Sequence, residues 1–496
     1  MPIKTMNRPA TGSLGRAGLC ILLVCAGASA CFPQNPDPLV PGTVVTGQCQ
    51  GKESQPACVL PNLFGPQGLS LFATPQFAHY AHFIGPAQTT LNQTLSSAIA
   101  TQLAILPIIS PSSGFTYKYD SPSGSFVRTT TNFGPIYAER AETVGRGKFS
   151  AGVSYQRFRF SDIDGINLHN VPAVFSHVPD TGPGNSPELY EADVIQTKNN
   201  ISLNMDSTTL YGTIGLTDGV DVSVSIPIVS VRMSVASDAA IIRVSGPTTT
   251  IPGVGTIPNP HQFTSDRNSL TNTYFSKGSA TGIGDVTFRV KGNVWRDESM
   301  GLSFGLDLRT PTGSATELLG SGAVGVKPFV VLSSTTNHFA PHINLGYEWN
   351  GASILAGDVT GSAISENSAG VEVIQNGSAI KRRLPSLLFY TLGTEIAAGK
   401  NVTFSVDYLG QAVINTPRVF RETFVTQNIP GGTGALSLPN ISGGKDTVVL
   451  STGSAGLKFN LFGNLLLTTN ILFRLDNKGL RQNITPLVAL SYAFGK

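Results

Sequence analysis

The chain is 496 residues long, and only 13% of them are charged, about half the share found in an ordinary soluble protein. With 41% aliphatic or aromatic residues the chain is not disordered, and a net charge of +3 with no basic block argues against a nucleic-acid partner. Ser, Thr, Asn and Gly stand where Lys and Glu usually do, so something other than charge matches the surface to its surroundings.

Residues 1–30 read as an export signal. Lys4, Arg8 and Arg16 precede the apolar run Leu19 to Ala28, and Ala28-Ser29-Ala30 offers small residues for cleavage. No later uncharged apolar run reaches the ~18 residues a membrane-spanning helix needs, so any further crossing must be made by strands. Cys20 and Cys25 would leave with the signal, and Cys49 and Cys58 are spaced to close a small disulfide loop in an oxidising compartment. Cys31 directly follows the cleavage site and is a candidate for lipidation, with a free thiol as the alternative.

Residues 31–146 form an extension of different texture. After a Pro- and Gly-punctuated start, residues 87–106 read as an amphipathic helix with Leu91, Leu95, Ile99 and Leu103 on one stripe, closed by Pro107. Phe115–Asp120 and Ser125–Thr130 then flank Ser121-Pro-Ser-Gly124 as a hairpin. Such a segment suits a plug of a barrel, a periplasmic element beneath one, or a surface that packs on a partner.

From 147 to the last residue, period-two alternation recurs. Val286, Phe288, Val290 and Val294 share one face of a strand, with Asp285, Thr287, Arg289, Lys291 and Asn293 on the other. Twelve such segments can be drawn, at 147–161, 194–217, 219–247, 280–296, 299–310, 323–334, 338–350, 385–397, 400–414, 446–461, 464–476 and 483–495. The count becomes fourteen if 219–247 and 415–430 each hide a further turn. Connections after even-numbered segments are a few residues long, and those after odd-numbered ones are mostly long. Sorted loops and an even count describe an all-β, antiparallel up-and-down transmembrane barrel of a Gram-negative outer membrane, with both ends in the periplasm. The terminal aromatic Phe494 resembles the signal such chains present to the barrel-assembly machinery.

Three stretches carry a family resemblance: Asn132 to Tyr155, beginning Asn132-Phe-Gly-Pro-Ile-Tyr-Ala-Glu-Arg140; Tyr211 to Pro227, beginning Tyr211-Gly-Thr-Ile-Gly-Leu-Thr-Asp-Gly219; and Gly282-Ile-Gly-Asp-Val-Thr-Phe-Arg289. They resemble the outer-membrane family described as the MetA-pathway of phenol degradation, which is similar to the barrels that take up fatty acids and aromatic hydrocarbons. The resemblance implies a β-barrel and passive entry of small hydrophobic or aromatic solutes.

The search for enzyme chemistry finds little. The seven histidines, His79, His82, His169, His177, His261, His338 and His342, stand in no nucleophile motif, and most fall in the extension or in loops. Asp162-Ile163-Asp164-Gly165 echoes part of a calcium loop without its later ligands and reads as an acidic loop tip. No catalytic, cofactor or metal site is expected. Asp285, in the turn entering its strand, reads as a strand-entry feature.

The inward charges are Arg289, Lys291, Asp307, Arg309, Lys327, Glu348, Glu395, Asp407, Lys458 and Arg474. A charge in hydrocarbon costs several kcal/mol, so these mixed-sign groups must meet water, each other or a plug. They brace the wall or form a constriction that tunes passage. The sequence therefore points to a cofactor-free outer-membrane channel whose partners are lipid, a small solute and the assembly machinery. The alternative is a surface interaction barrel acting through its long loops at 162–193, 248–279, 351–384 and 415–445.

Overall fold

Strand after strand, the outward face is apolar and the inward face polar, which in a closed antiparallel sheet turns hydrocarbon-compatible side chains to the lipid. The computed structural model describes residues 44–46 and most of 49–494; stretches including 73–82, 111–116 and 178–191 lie outside it, as do residues 1–30, where a signal segment is expected, and Cys31. The described residues belong to one unit, Gly42–Lys496. Among them no helix is long and apolar enough to cross a membrane.

The barrel strands are β1 (Phe149–Phe160), β2 (Val194–Thr217), β3 (Val220–Ile242), β4 in two pieces (Thr271–Ile283 and Thr287–Arg296), β5 (Met300–Arg309) and β6 (Gly325–Ser334). They continue as β7 (Phe339–Asn350), β8 (Leu387–Gly399), β9 (Val402–Val425), β10 (Ser437–Phe462), β11 (Leu465–Arg474) and β12 (Ile484–Phe494). Each pairs antiparallel with the next, and β12 closes on β1 from Leu487 opposite Gln156 to Phe494 opposite Phe149. Twelve strands, not fourteen, make the wall. The stretch 219–247 holds one strand, and 415–430 continues β9 past a register shift between Val413 and Thr416.

Three strands run further than their alternation indicates. The upper piece of β4 starts at Thr271, β9 runs to Val425 and β10 begins at Ser437, so the loops read at 248–279 and 415–445 are shorter than drawn. The cause is visible on β2 and β3. Outward residues of β2 are Leu210, Ile214 and Leu216 near the short turn, but Asp206, Asn204, Ser202 and Lys198 further up; inward residues change from Thr213, Thr209 and Ser207 to Met205, Leu203 and Ile201. On β3 the outward Val224, Ile226 and Ile228 give way to Ser230, Arg232 and Ser234, while the inward Ser223 and Ser225 give way to Val229, Val231 and Met233. The wall is thus lipid-compatible on its lower half. Above that it has the polar exterior and apolar interior of a soluble domain.

Strands confined to the belt, such as β5 and β6, have 10 residues each, the length a tilted strand needs to span hydrocarbon. Aromatic side chains mark both rims. Phe149, Trp295, Phe339, Phe462 and Phe494 are exposed at the short-turn end. Tyr347 and Trp349, with ring centroids 4.8 Å apart, stand near the other. The turn after β4 is capped by Asp297, which accepts from the amides of Ser299 and Met300 at 2.9 and 2.7 Å; these bonds hold its carboxyl below the usual range.

The apolar interior of the upper half is filled from the N-terminal side. Helix α1 (Pro86–Ala104) stops two residues before the expected Leu106, and it buries Thr94, Ser97 and Thr101 as well as the stripe Leu91, Leu95, Ile99 and Leu103. Burial on both faces follows from its surroundings, because one core joins it to Phe158, Leu203, Met205, Val231 and Met233 of the barrel wall. Cys49 and Cys58 are disulfide-bonded and lie in the same core. A hairpin pairs Tyr117–Asp120 with Ser125–Arg128.

Candidate functional site

Inside the lower half the lumen is crossed by residues 132–146, a strap that makes no strand pairing. Extended chain away from water must still satisfy its amides and carbonyls, and here polar side chains of the wall do so. The Phe133 amide donates to Thr403 Oγ1 at 3.1 Å, that of Tyr137 to Asp407 at 3.3 Å and that of Glu139 to Asn344 Oδ1 at 2.6 Å. The Ala141 amide donates to Ser333 Oγ at 2.8 Å and that of Val144 to Asp221 at 3.0 Å. In return, Lys458 Nζ donates to the carbonyls of Phe133 and Pro135, Asn344 to that of Glu139, and Ser303 to that of Ala141. The strap thus runs from the β9–β10 wall to β3. Gly145 and Gly147, at φ +97° and +68°, turn it into β1.

Above the strap, α1 ends at Ala104 and its chain descends through Ile105 and Leu106. The Ser110 amide reaches the Ile136 carbonyl at 2.9 Å. Between helix end and strap lies a chamber of about 150 Å³. Ile105 and Leu106 form its roof and Tyr137 and Glu139 its floor, with Phe329, Phe389 and Leu409 among its wall residues. A smaller cavity of about 30 Å³, sharing Leu106, Thr287 and Arg309, extends toward β1–β3.

The wall charges of the chamber are paired. Arg289 makes a two-pronged contact with Asp307 at 2.6 and 2.8 Å and reaches Glu139 of the strap at 2.6 Å; Lys327 completes the set on Asp307 at 2.9 Å. Arg309 bridges Asp285 at 3.1 Å and Glu348 at 3.0 Å, and also bonds Ser321 and Asn350. Aromatic faces cover two of these cations: Arg289 lies 4.9 Å from the Phe329 ring centroid and Lys327 lies 4.8 Å from that of Phe389. A lumen with its charges cancelled and partly roofed by rings offers a neutral, apolar-faced space.

The ten inward charges thus fall into four groups. Arg289, Asp307, Arg309, Lys327 and Glu348 line the chamber. Lys291, Asp407 and Lys458 hold the strap. Glu395 bonds His342, whose other ring nitrogen faces Ser333 Oγ at 2.7 Å. Arg474 departs from the set: it bonds Asp162 at 2.7 Å at the upper end of β11, not the chamber.

Asp285 does more than open a strand. It accepts from the amides of Gly313 and Ser321 at 3.1 and 2.8 Å, tying the β5–β6 loop to the break between the two pieces of β4. The acidic tip near Asp164 likewise braces loops, through Arg418 at 2.6 Å and the Gly479 amide at 2.8 Å. Among the described residues no cluster could hold a metal ion.

Sequence reasoning missed Glu139, Phe329 and Phe389. One available signal was glycine at inward positions of neighbouring strands. A Cβ at Gly305 would meet the Phe329 ring and one at Gly346 the base of the same side chain, so Gly305 lets the ring lie against the wall and Gly346 lets its strand approach closely. A second missed feature is a buried set in which Asp193 accepts from Ser245 Oγ at 2.7 Å and lies 2.8 Å from His261 Nδ1. Both partners bond the carboxylate rather than each other, so the arrangement lacks a nucleophile-to-imidazole contact and braces the base of a loop.

The model of the family described as "Putative MetA-pathway of phenol degradation" matches residues 185–373, in agreement with the resemblance read from the sequence. No curated protein matches. Among solved structures, the chain is similar to an outer membrane channel from Pseudomonas putida F1 at 11% identity, covering 71% of this chain and 98% of that one, TM-score 0.40. It is also similar to the Ralstonia pickettii toluene transporter TbuX at 10% identity, covering 79% and 100%, TM-score 0.33. A third is the TodX monoaromatic hydrocarbon channel, at 9% identity, covering 79% and 98%, TM-score 0.32.

Proposed function

We propose that this outer-membrane barrel is a passive channel for small, neutral hydrophobic or aromatic solutes. In this reading residues 1–30 are the export signal and 31–146 the plug that divides the lumen. The observation that carries it is the chamber between the helix end at Leu106 and the strap at Glu139, faced by Phe329 and Phe389 over charges that cancel in pairs. A space of about 150 Å³ suits a single-ring solute better than an oligosaccharide or peptide. The matched family's description names phenol, a solute of that size and character. An interaction barrel acting through its loops gives the chamber no role.

The test is single-channel conductance of the refolded mature protein in a planar bilayer, compared with a form lacking residues 32–140. The plug reading expects a closed or barely conducting full chain and a steady pore in the shortened one. A shortened barrel that folds and still does not conduct counts against it.

A further inference from the structure

The inversion of wall polarity fixes where the lipid belt ends on β1 to β4, and the three outward rows just above it carry an excess of cations. Tyr155, Thr208, Ile228 and Ile283 make the last row of the belt. Two residues further along each strand, in the next outward row, Arg157 stands opposite Asp206, and Asp206 opposite Ser230. The next row places Arg159 opposite Asn204, and Asn204 opposite Arg232; Lys277 follows on β4, opposite Ser234. Arg157 and Arg232 share the one carboxylate of this face, Asp206, at 3.4 and 2.6 Å. Both keep much of their surface, with side chains 41% and 51% exposed. Arg159 and Lys277 are exposed and make no ion pair among the described residues. Four cations and one carboxylate thus share a face three strand spacings wide and three outward rows deep, where strands lie about 4.8 Å apart. Two outward rows above Lys277, Lys198 and Asp238 stand opposite each other with opposite charges, so the excess is confined to the rows next to the belt.

We propose that this outward face binds the phosphorylated headgroup of an outer-leaflet lipid, its acyl chains lying along the Leu210, Ile214 and Ile228 surface below. Binding at this face does not depend on what passes through the lumen. Loop sorting puts this rim on the outer side of the membrane, where headgroup phosphates meet the protein at the depth at which hydrocarbon ends. Guanidinium groups bind phosphate oxygens in a two-pronged manner, and Asp206 holds two of them in place without neutralising the set.

The experiment uses the full mature chain in detergent micelles and follows thermal unfolding as diphosphoryl lipid A is titrated in. Parallel arms use the same lipid with its phosphates removed, and inorganic phosphate at equal concentration. The variants are Arg159→Ser with Lys277→Ser, which leaves the Asp206 cluster intact, and the fourfold change that adds Arg157→Ser and Arg232→Ser. Heat-modifiable gel migration reports whether each has folded. The proposal expects a saturable rise in Tm for the wild type with diphosphoryl lipid only, and an apparent affinity about tenfold weaker or more in the twofold variant, a loss that deepens in the fourfold one. Equal responses of wild type and twofold variant overturn it. So does an equal response to the dephosphorylated lipid, which assigns binding to the acyl chains. A response matched by inorganic phosphate overturns the lipid assignment and leaves an anion site.

Discussion

Lys291, on the inward face of β4, reaches Glu139 of the strap at 3.1 Å and donates to the carbonyls of Arg140 and Glu142, both at 2.9 Å. These three contacts of its ammonium all go to the strap that crosses the lumen. A wall charge is thereby spent on holding the strap.

Replacing Lys291 with Met keeps the bulk and removes those three bonds, while Glu139 keeps its contact with Arg289. Taking one partner from a buried pair costs about 3 kcal/mol or more, here charged against the strap's attachment and not the barrel ladder. Faster hydrogen exchange over residues 132–146 and a raised single-channel conductance are expected, with heat-modifiable migration retained. Unchanged exchange in the strap contradicts the role given to Lys291.

Gly305 is the second lever. A methyl group there meets the Phe329 ring, so Gly305→Ala pushes the ring into the chamber. Uptake of a single-ring solute should fall several-fold, and adding Phe329→Leu should restore it. If the double variant transports no better than the single one, the ring is not the obstacle.

How much of this was legible follows from which residues face which solvent. In the belt, apolar outward residues alternate against polar inward ones, and that contrast marked the twelve strands, including β5 through Leu302, Phe304, Leu306 and Leu308. Above the belt the contrast reverses or fades, as at Thr271-Asn272-Thr273, and strand ends there were lost. The inward charges were readable as inward, since a strand leaves only two faces. Their partners were not: whether Lys458 meets water, Asp407 or the Pro135 carbonyl depends on where a segment more than 300 residues earlier comes to lie. For the same reason Glu139 gave no sign in the sequence of reaching Arg289.

Arg309 tests the upper wall of the chamber. It lies between Asp285 and Glu348 and donates to the Ala323 carbonyl at 2.8 Å, so Arg309→Met removes the cation facing two buried carboxylates, leaves Asp285 only its neutral donors and loosens the β5–β6 loop. A loss of about 3–5 kcal/mol is expected, read as a lower unfolding temperature in the heat-modifiability assay. A variant as stable as the parent would show that water replaces the guanidinium at little cost.

The disulfide between Cys49 and Cys58 closes a short loop in the core around α1. Its removal by Cys49→Ser with Cys58→Ser should cost about 2–3 kcal/mol locally. Limited proteolysis should cut the double variant within residues 49–72 faster than the parent, while the barrel remains protected. Cleavage at the same rate in both would place the stability of that segment in its apolar contacts alone.

The central claim is that solute passes through the chamber between Leu106 and Glu139. Its most direct test is the initial rate of labelled toluene entry into cells that have an intact outer membrane but lack their own hydrocarbon channels. The comparison is between the wild type and Leu409→Trp, a chamber-filling variant present at equal level in the outer membrane. The account predicts several-fold faster entry with the wild type than without it, and none of that gain with the filled chamber. Equal rates for the two forms would contradict it.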